Sequence, residues 1–316
     1  MENNRLELTP AICCVCGADD AEAIGVGFDY EYKTTDDRFS AVQCRKCSLV
    51  YLDPRPTLAD METIYPAEYH AFDFSKEDYG LVHKIRSRLE ARRLLDYCGP
   101  LPDGARILDV GCGDGFHLRL LREFGNKTWE LEGIDLDRRA IEAAESSGLK
   151  VHFGSVESLD LDNGSYDLIF MIQTIEHVER PDEIMSAIFR LLKTGGRLVI
   201  VTDNTDSIDF GLFKSSYWGG YHFPRHLCLF NKVSLTRLGE NAGFRVASLT
   251  TLVSPVNWVY SIHNALVDKR APKFLIDRFT LRSVVSLSAF TLLDIALQKA
   301  KRGALLLANL QKPQAN

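Results

Sequence analysis

The chain has 316 residues, 46% hydrophobic and 25% charged, with a formal net charge of −6. That length can bury a full core, one large domain plus an accessory piece. The acidic balance argues against a general affinity for nucleic-acid phosphates, a local basic patch aside, and no apolar run reaches the length of a membrane span. The start, Met-Glu-Asn-Asn-Arg5, lacks the basic and apolar regions of a signal peptide. A cytoplasmic setting is therefore expected, with the eight cysteines as reduced thiols or metal ligands.

Five cysteines fall in Cys13-Cys-Val-Cys16-Gly17 and Cys44-Arg-Lys-Cys47. Two C-x-x-C knuckles can close a tetrahedral zinc site on Cys13, Cys16, Cys44 and Cys47, leaving Cys14 spare. Four thiolates leave no open position, so the zinc is expected to be structural, in a zinc ribbon. A redox dithiol is the competing reading. Ser48 stands where glycine commonly follows the second knuckle. Between the knuckles, Phe28–Lys33 and Phe39–Cys44 alternate like a small antiparallel sheet. Two prolines, Pro54 and Pro56, mark a boundary near residue 56. Tyr65 and Tyr69 follow as candidate active-site or packing residues.

From Tyr79 to Tyr97 a helical stripe runs through Leu81, Val82, Ile85, Leu89 and Leu94. Lys84, Arg86, Arg88, Arg92 and Arg93 decorate its other faces, read as a solvated surface rather than an RNA site. Pro100–Gly104 breaks this helix before the central stretch.

Ile107–Val110 suits a strand buried on both faces, followed by Gly111, Gly113 and Gly115 and a helix opening at Phe116. Strand, glycine turn and helix N-terminus let backbone approach a ligand closely. The dinucleotide fingerprint would need glycine at 116, where Phe116 stands. Asp109 would repel a pyrophosphate but suits positive charge. Asp135 ends a second apolar run and can accept both hydroxyls of a ribose. Positive charge plus a ribose points to S-adenosylmethionine (SAM).

Further strands are predicted at Lys150–Phe153, Tyr166–Ile172, Arg197–Val201, Phe244–Leu252 and Ala304–Asn309. Helices are predicted at Leu136–Glu145, from Pro181, and over Leu235–Asn241, with helical stretches near 256–268 and 282–299. The last is apolar but short for a bilayer, with Asp294 interrupting it. It is expected to cover the pocket or a dimer face, with peripheral membrane contact as the alternative. After the fifth strand, Phe210–Phe230 is rich in aromatics and histidines, suited to a pocket with a proton acceptor.

The stretch Ile107–Gly115 resembles motif I of class I SAM-dependent methyltransferases. The likeness continues through Asp135, Tyr166–His177 and Leu192–Val199 in the family's order. It implies a Rossmann-like α/β fold of seven mostly parallel strands, the last inserted antiparallel between the fifth and sixth. It implies a cofactor site from Asp109, Gly111, Cys112, Gly113, Gly115, Phe116, Asp135, Leu136, Ser155, Val156, Gln173 and His177. Ser155 stands where the family usually has an acidic residue, so the adenine contact passes to backbone at Val156 or to Glu157. His177 matches the histidine of the family's leu-glu-his-val segment.

The leader resembles that of a zinc-ribbon subfamily acting on sugars and other small metabolites. Related sugar C-methyltransferases place a basic histidine where His226 stands, though Pro224 and Arg225 depart from their pattern. His222 is the rival base, with Tyr217, Trp218 and Tyr221 around the acceptor. In the bland alternative, Arg225 and His226 merely pin the loop.

The expected organisation is a zinc-ribbon leader over 1–56 and a helical linker or cap over 57–104. The methyltransferase domain then spans 105–316, with an acceptor loop at 203–231 and a helical insertion at 254–301. The expected function is methylation of a small molecule, a sugar or secondary metabolite, at carbon or oxygen, by a monomer or homodimer without a nucleic-acid partner. A zinc-ribbon RNA methyltransferase and a non-catalytic SAM-binding scaffold are the alternatives.

Overall fold

A computed structural model describes residues 5–66 and 76–314, with backbone alone at position 58 and over 76–86. Tyr69 and the side chains of Leu81, Val82, Lys84, Ile85 and Arg86 therefore lie outside the described residues.

An apolar run flanked by turns becomes a central parallel strand when both its faces are covered by helices. Strands β4 (Arg106–Val110), β5 (Glu130–Asp135), β7 (Tyr166–Ile172) and β8 (Leu192–Asp203) are such strands, β6 (Lys150–Phe153) is a parallel edge strand, and β10 (Arg245–Leu252) and β11 (Leu305–Gln311) complete the sheet. Its order is β10-β11-β8-β7-β4-β5-β6. β11 runs antiparallel to both neighbours, with Val199 opposite Asn309 and Leu249 opposite Ala308. This is the predicted seven-stranded arrangement. β8 starts earlier than Arg197 because it pairs with β7 at Leu192, then shifts register before Arg197. Gly195, at φ +80°, carries the backbone through that irregularity.

The helices begin where their caps allow. α1 (Lys76–Cys98) precedes the sheet, and α2 (Phe116–Phe124) buries Leu118, Leu120 and Leu121. α3 (Arg138–Ser146) starts later than expected because Asp137 caps it, accepting from Arg139 N and Ala140 N. α4 (Pro181–Leu191) has proline in its first turn. α5 (Ile208–Phe213) follows β8, and α6 (Lys232–Asn241) starts earlier than expected at a capping box of Asn231 and Ser234. α7 (Val256–Asp268) and α8 (Val284–Lys299) are the predicted insertion helices. Asp294 faces inward from α8, accepting from Ser254 N at 2.7 Å, while Val284, Val285 and Leu292 face solvent. Among the described residues no helix is long and apolar enough to cross a membrane.

The leader forms its own sheet of β1 (Ala21–Gly27), β2 (Phe39–Cys44) and β3 (Val50–Leu52), extended by β9 (Cys228–Leu229) from the long loop after β8. The first strand lies upstream of the predicted Phe28–Lys33. Asp29 accounts for the difference. Its carboxylate accepts from Tyr32 N, Thr34 N and Thr34 Oγ1, closing those residues into a turn. Alternating residues need a pairing partner to become a strand, and here a side-chain acceptor captures the backbone first. Phe39, Leu49, Val50 and Leu52 join one apolar cluster with Leu108, Ile169 and Ile200 of the large sheet.

Candidate active site

The C-terminal ends of adjacent parallel strands form a crevice, and four loops deliver side chains to it. Gly111, Gly113 and Gly115 follow β4 with φ of +78°, +53° and +80°. A side chain at 111 would meet Thr174 Oγ1 at 2.4 Å, whereas space opens beside Gly113. Cys112 is buried, its Sγ packed where a side chain at Gly133 would stand, and Phe116 opens α2. Asp135 accepts from Gly113 N and Asp137 N, both at 2.8 Å. Each of its oxygens keeps a second lone pair for a hydroxyl. Burial pushes its carboxyl pKa up against those backbone bonds. Leu136 beside it is 71% exposed, an apolar surface at the rim of the crevice.

Asp109 is buried, and neither oxygen has a hydrogen-bond partner among the described residues. His117 Nδ1 stands 3.6 Å from it. Burial alone would lower that imidazole's pKa, but Asp109 raises it overall. After β6, Ser155 N is bonded to Ser158 Oγ, and Val156 is buried. After β7, Gln173 adopts φ +52°, its Nε2 buried without a partner among the described residues. These residues suit a ligand carrying positive charge, a vicinal diol and an amphipathic ring, which fits SAM.

The loop over 203–231 reaches the end of β7, where Leu227 N donates to Glu176 O. Trp218 is buried and donates Nε1–H to Asp209 Oδ2 at 2.6 Å. The Tyr221 hydroxyl donates to Lys214 O at 2.5 Å, and its ring stacks on Phe223. Tyr217 instead reaches outward to Asp268. Trp218 and Tyr221 thus frame the loop from inside. Arg225 is fully enclosed, donating to both oxygens of Asp29 at 3.1 and 2.9 Å and to Ile64 O at 2.6 Å.

Three imidazoles meet above the strand end. His177 and His226 have ring centroids 4.6 Å apart, and His222 lies 5.0 Å from His226 and 6.4 Å from His177. His226 Nδ1 is 2.8 Å from Gly220 O. A carbonyl only accepts, so Nδ1 carries the proton and Nε2 is the basic nitrogen. Burial first, then the neighbouring His177 and His222, push the His226 pKa well below 6.5. Burial likewise lowers His177 to about 3, and its Nδ1 lies 3.1 Å from Tyr65 Oη and 3.2 Å from Arg225 O. His222 differs, for its Nδ1 is 2.6 Å from Glu31 Oε2, a leader carboxylate.

Two buried carboxyls support this cluster. Glu176 accepts from Thr202 Oγ1 at 2.8 Å, and Asp203 accepts from Asn257 Nδ2 at 2.6 Å. Burial raises both pKa values. Asp203 Oδ2 also stands 3.5 Å from His226 Nδ1. Sequence reasoning missed Asp29, Glu31, Glu176, Asp203 and Asn257 as partners. Asp203, a carboxylate closing the run Val-Ile-Val-Thr, was the detectable signal.

At the leader's tip the four predicted thiols lie within 4.8 Å of one another. Cys13 and Cys47 Sγ are 3.3 Å apart, and Cys16 and Cys44 Sγ 3.5 Å. A tetrahedral cage with 2.3 Å bonds needs separations of about 3.8 Å, so this donor set fits zinc after a small expansion. The knuckles match: Gly17 N donates to Cys13 O, and Ser48 N to Cys44 O. Ser48 takes φ +62° where Gly17 takes +68°, an unusual backbone for a non-glycine. Cys14 points away, with its Sγ 3.2 Å from Cys228 Sγ.

Residues 81–249, more than half of the 316-residue chain, match the methyltransferase domain family. The chain is 35% identical over 127 residues to ubiquinone biosynthesis O-methyltransferase of Xanthomonas oryzae, covering 37% of this chain and 52% of that one. A probable S-adenosylmethionine-dependent methyltransferase of Mycolicibacterium smegmatis is 28% identical over 163 residues, 51% and 58% of the two chains. The chain thus spans about half the length of the curated relatives it matches. Phosphoethanolamine N-methyltransferase 2 of Haemonchus contortus superposes with a TM-score of 0.52 at 16% identity, covering 93% of this chain and 69% of that one. The [4+2]-cyclase SpnF gives 0.50 at 20% identity, covering 73% and 82%. At such identities these structures speak for the fold alone. Strand order, antiparallel insertion and the match over residues 81–249 lead to one assignment: the chain belongs to the methyltransferase domain family and has the class I fold.

Proposed function

We propose that the protein transfers a methyl group from SAM to a small-molecule acceptor, a sugar or other secondary metabolite, at carbon or oxygen. The observation that carries this reading is adjacency: His177, at the end of the β7 loop that borders the cofactor crevice, touches His226 of the acceptor loop. SAM supplies an electrophilic methyl group on a sulfonium. Asp135 would accept the ribose hydroxyls, Asp109 would offset positive charge, and the glycine turn would admit the ligand to the backbone. The protein's remaining work is to align the acceptor and take its proton. His226 and His222 are the candidate bases, and Tyr221 holds their loop in shape. The relative's name, ubiquinone biosynthesis O-methyltransferase, favours an oxygen acceptor.

In this proposal residues 1–56 form a structural zinc ribbon and 57–104 a helical cap. Residues 105–316 bind SAM, with the loop 203–231 and the insertion 254–301 around the acceptor. Its test is tritiated methyl transfer from SAM to a panel of nucleotide sugars and vicinal diphenols such as 3,4-dihydroxybenzoate. S-adenosylhomocysteine binding and a labelled small-molecule product are expected. Tight NADH binding with no response to S-adenosylhomocysteine would end the reading.

A further inference from the structure

We infer that Glu31 of the leader is a positioning residue for methyl transfer, holding His222 in a carboxylate–imidazole dyad whose imidazole is the general base. This rests on the proposed methyltransferase function and selects between its two candidate bases. Glu31 Oε2 lies 2.6 Å from His222 Nδ1, and Tyr260 of α7 donates to Glu31 Oε1 at 3.2 Å. The carboxylate is therefore held from two sides. A carboxylate on Nδ1 keeps that nitrogen protonated, makes Nε2 the basic one, and lies beside the positive charge that protonation creates. Burial alone would raise the Glu31 pKa, but the hydrogen bond from His222 lowers it overall, so the carboxylate stays ionised. For His226 the carboxyl stands farther off, Asp203 Oδ2 at 3.5 Å from Nδ1. That nitrogen rests on a neutral carbonyl, and the nearby Asp203 is driven toward its protonated form by burial.

The backbone points the same way. His222 sits at φ +40°, ψ +41°, a conformation few non-glycine residues adopt and one that marks constrained functional positions. The leader is shaped to impose it. A side chain at Gly25 would meet Tyr221 Oη at 2.4 Å, and one at Gly27 would meet the Phe223 ring at 2.9 Å. Only glycine lets β1 approach the loop that closely. Asp29, two residues before Glu31, clamps Arg225, three residues after His222. The leader thus supplies part of the acceptor site rather than standing apart from it.

Against the His222 ring stand Glu31 and Tyr32 from the leader, His177 from the end of β7 and His226 from its own loop, while Asp29 is paired with Arg225 and Tyr260 of α7 donates to Glu31. In the step itself, the acceptor hydroxyl gives its proton to Nε2 while its oxygen bonds to the methyl carbon. The pair of the carbon–sulfur bond returns to sulfur, leaving a neutral thioether.

The test uses the full chain with ¹⁵N-labelled histidine, the His222 ring assigned by its absence in His222→Asn. Long-range ¹H–¹⁵N spectra at alkaline pH should show the Nδ1–H tautomer, and Glu31→Gln should mix the tautomers. With an acceptor from the screen above, Glu31→Gln should lower kcat about 10- to 100-fold and displace the acid limb of its pH profile. The affinity for S-adenosylhomocysteine should stay within about twofold. Should Glu31→Gln fail to fold, Glu31→Asp carries both readouts, with smaller changes. A wild-type ring protonated on Nε2, ring signals unaffected by either variant, or unchanged kcat would overturn the dyad. If no acceptor is methylated, the methyltransferase reading fails, while the ring spectra still decide whether Glu31 holds His222.

Discussion

Asp135 and the imidazole pair carry the most exposed claims at the scale of single residues. Asp135 already takes two backbone N–H groups, so its removal both loosens the glycine turn and deletes a diol acceptor. Two hydrogen bonds to a charged group are worth about 3 kcal/mol or more together, roughly a hundredfold in affinity. Asp135→Ala is therefore expected to weaken S-adenosylhomocysteine by about that factor in calorimetry. Unchanged affinity would place the ribose elsewhere. For the base, the resemblance favours His226 and the geometry favours His222. His222→Asn should cost about 10²–10⁴ in turnover, the usual contribution of a positioned base. His226→Asn should cost less, and a reversed ranking in single-turnover assays would return the role to His226. The motif was legible in Pro-Arg-His. Its partners were not, because Glu31 and Asp203 approach these imidazoles only through the folded chain.

Among the elements, the leader shows how far local patterning reaches. Two C-x-x-C pairs announce the four thiols, and Gly17 and Ser48 take matching left-handed conformations after them. We expect one zinc per chain by metal analysis, lost in Cys44→Ser and kept in Cys14→Ser. Equal zinc content in the two variants would refute the ligand set. Because structural zinc contributes folding free energy directly, its removal should disturb more than the ribbon. β3 pairs with β9, Tyr51 opposite Cys228, so the disturbance should reach the loop bearing His222 and His226. Chelation should therefore speed hydrogen exchange at Cys228 and Leu229 as well as at the knuckles. Protection confined to its original level at β9 would show that the ribbon folds independently.

For the molecule as a whole, the clearest electrostatic feature lies away from the crevice. Glu132, nearly fully buried, takes Arg106 at 2.9 Å, Lys150 at 3.0 Å and the Tyr166 hydroxyl at 3.1 Å. Burial alone would raise its pKa, but these partners hold it at about 2 against an ordinary 4.5. A carboxyl whose folded pKa is depressed stabilises fully above its unfolded pKa. That contribution is lost as pH falls through the folded value, here across the window from 4.5 down to 2. About 3 kcal/mol is at stake, since each unit is worth about 1.4 kcal/mol. Glu132→Gln should therefore lower stability to urea at pH 7 and bring it toward the wild type near pH 2. Equal losses at both pH values would remove the ionic explanation. Glu176 and Asp203, whose carboxyls burial raises, contribute in the opposite sense, so the variant difference rather than the raw acid curve is the measurement.

Ile107–Gly115, the apolar run Tyr166–Ile172 and the helical stretches at 256–268 and 282–299 were readable because each signal is local. Strand burial, glycine turns and helical periodicity all lie within a short window of chain. The cysteine spacing belonged to the same class. Phe28–Lys33 was misread as a strand for the complementary reason: alternation is necessary for a half-buried strand, but a nearby side-chain acceptor can outcompete the pairing it requires. The sheet order was legible through the family resemblance, since four ordered motifs imply it. What only the tertiary structure decided is which side chains meet around the three imidazoles. There Arg225 meets Asp29 and His222 meets Glu31 across nearly two hundred residues, and Asp203 meets Asn257 across fifty-four. Such pairs follow from how close-packed elements dock, and no period or spacing along the chain encodes which carboxylate will face which imidazole.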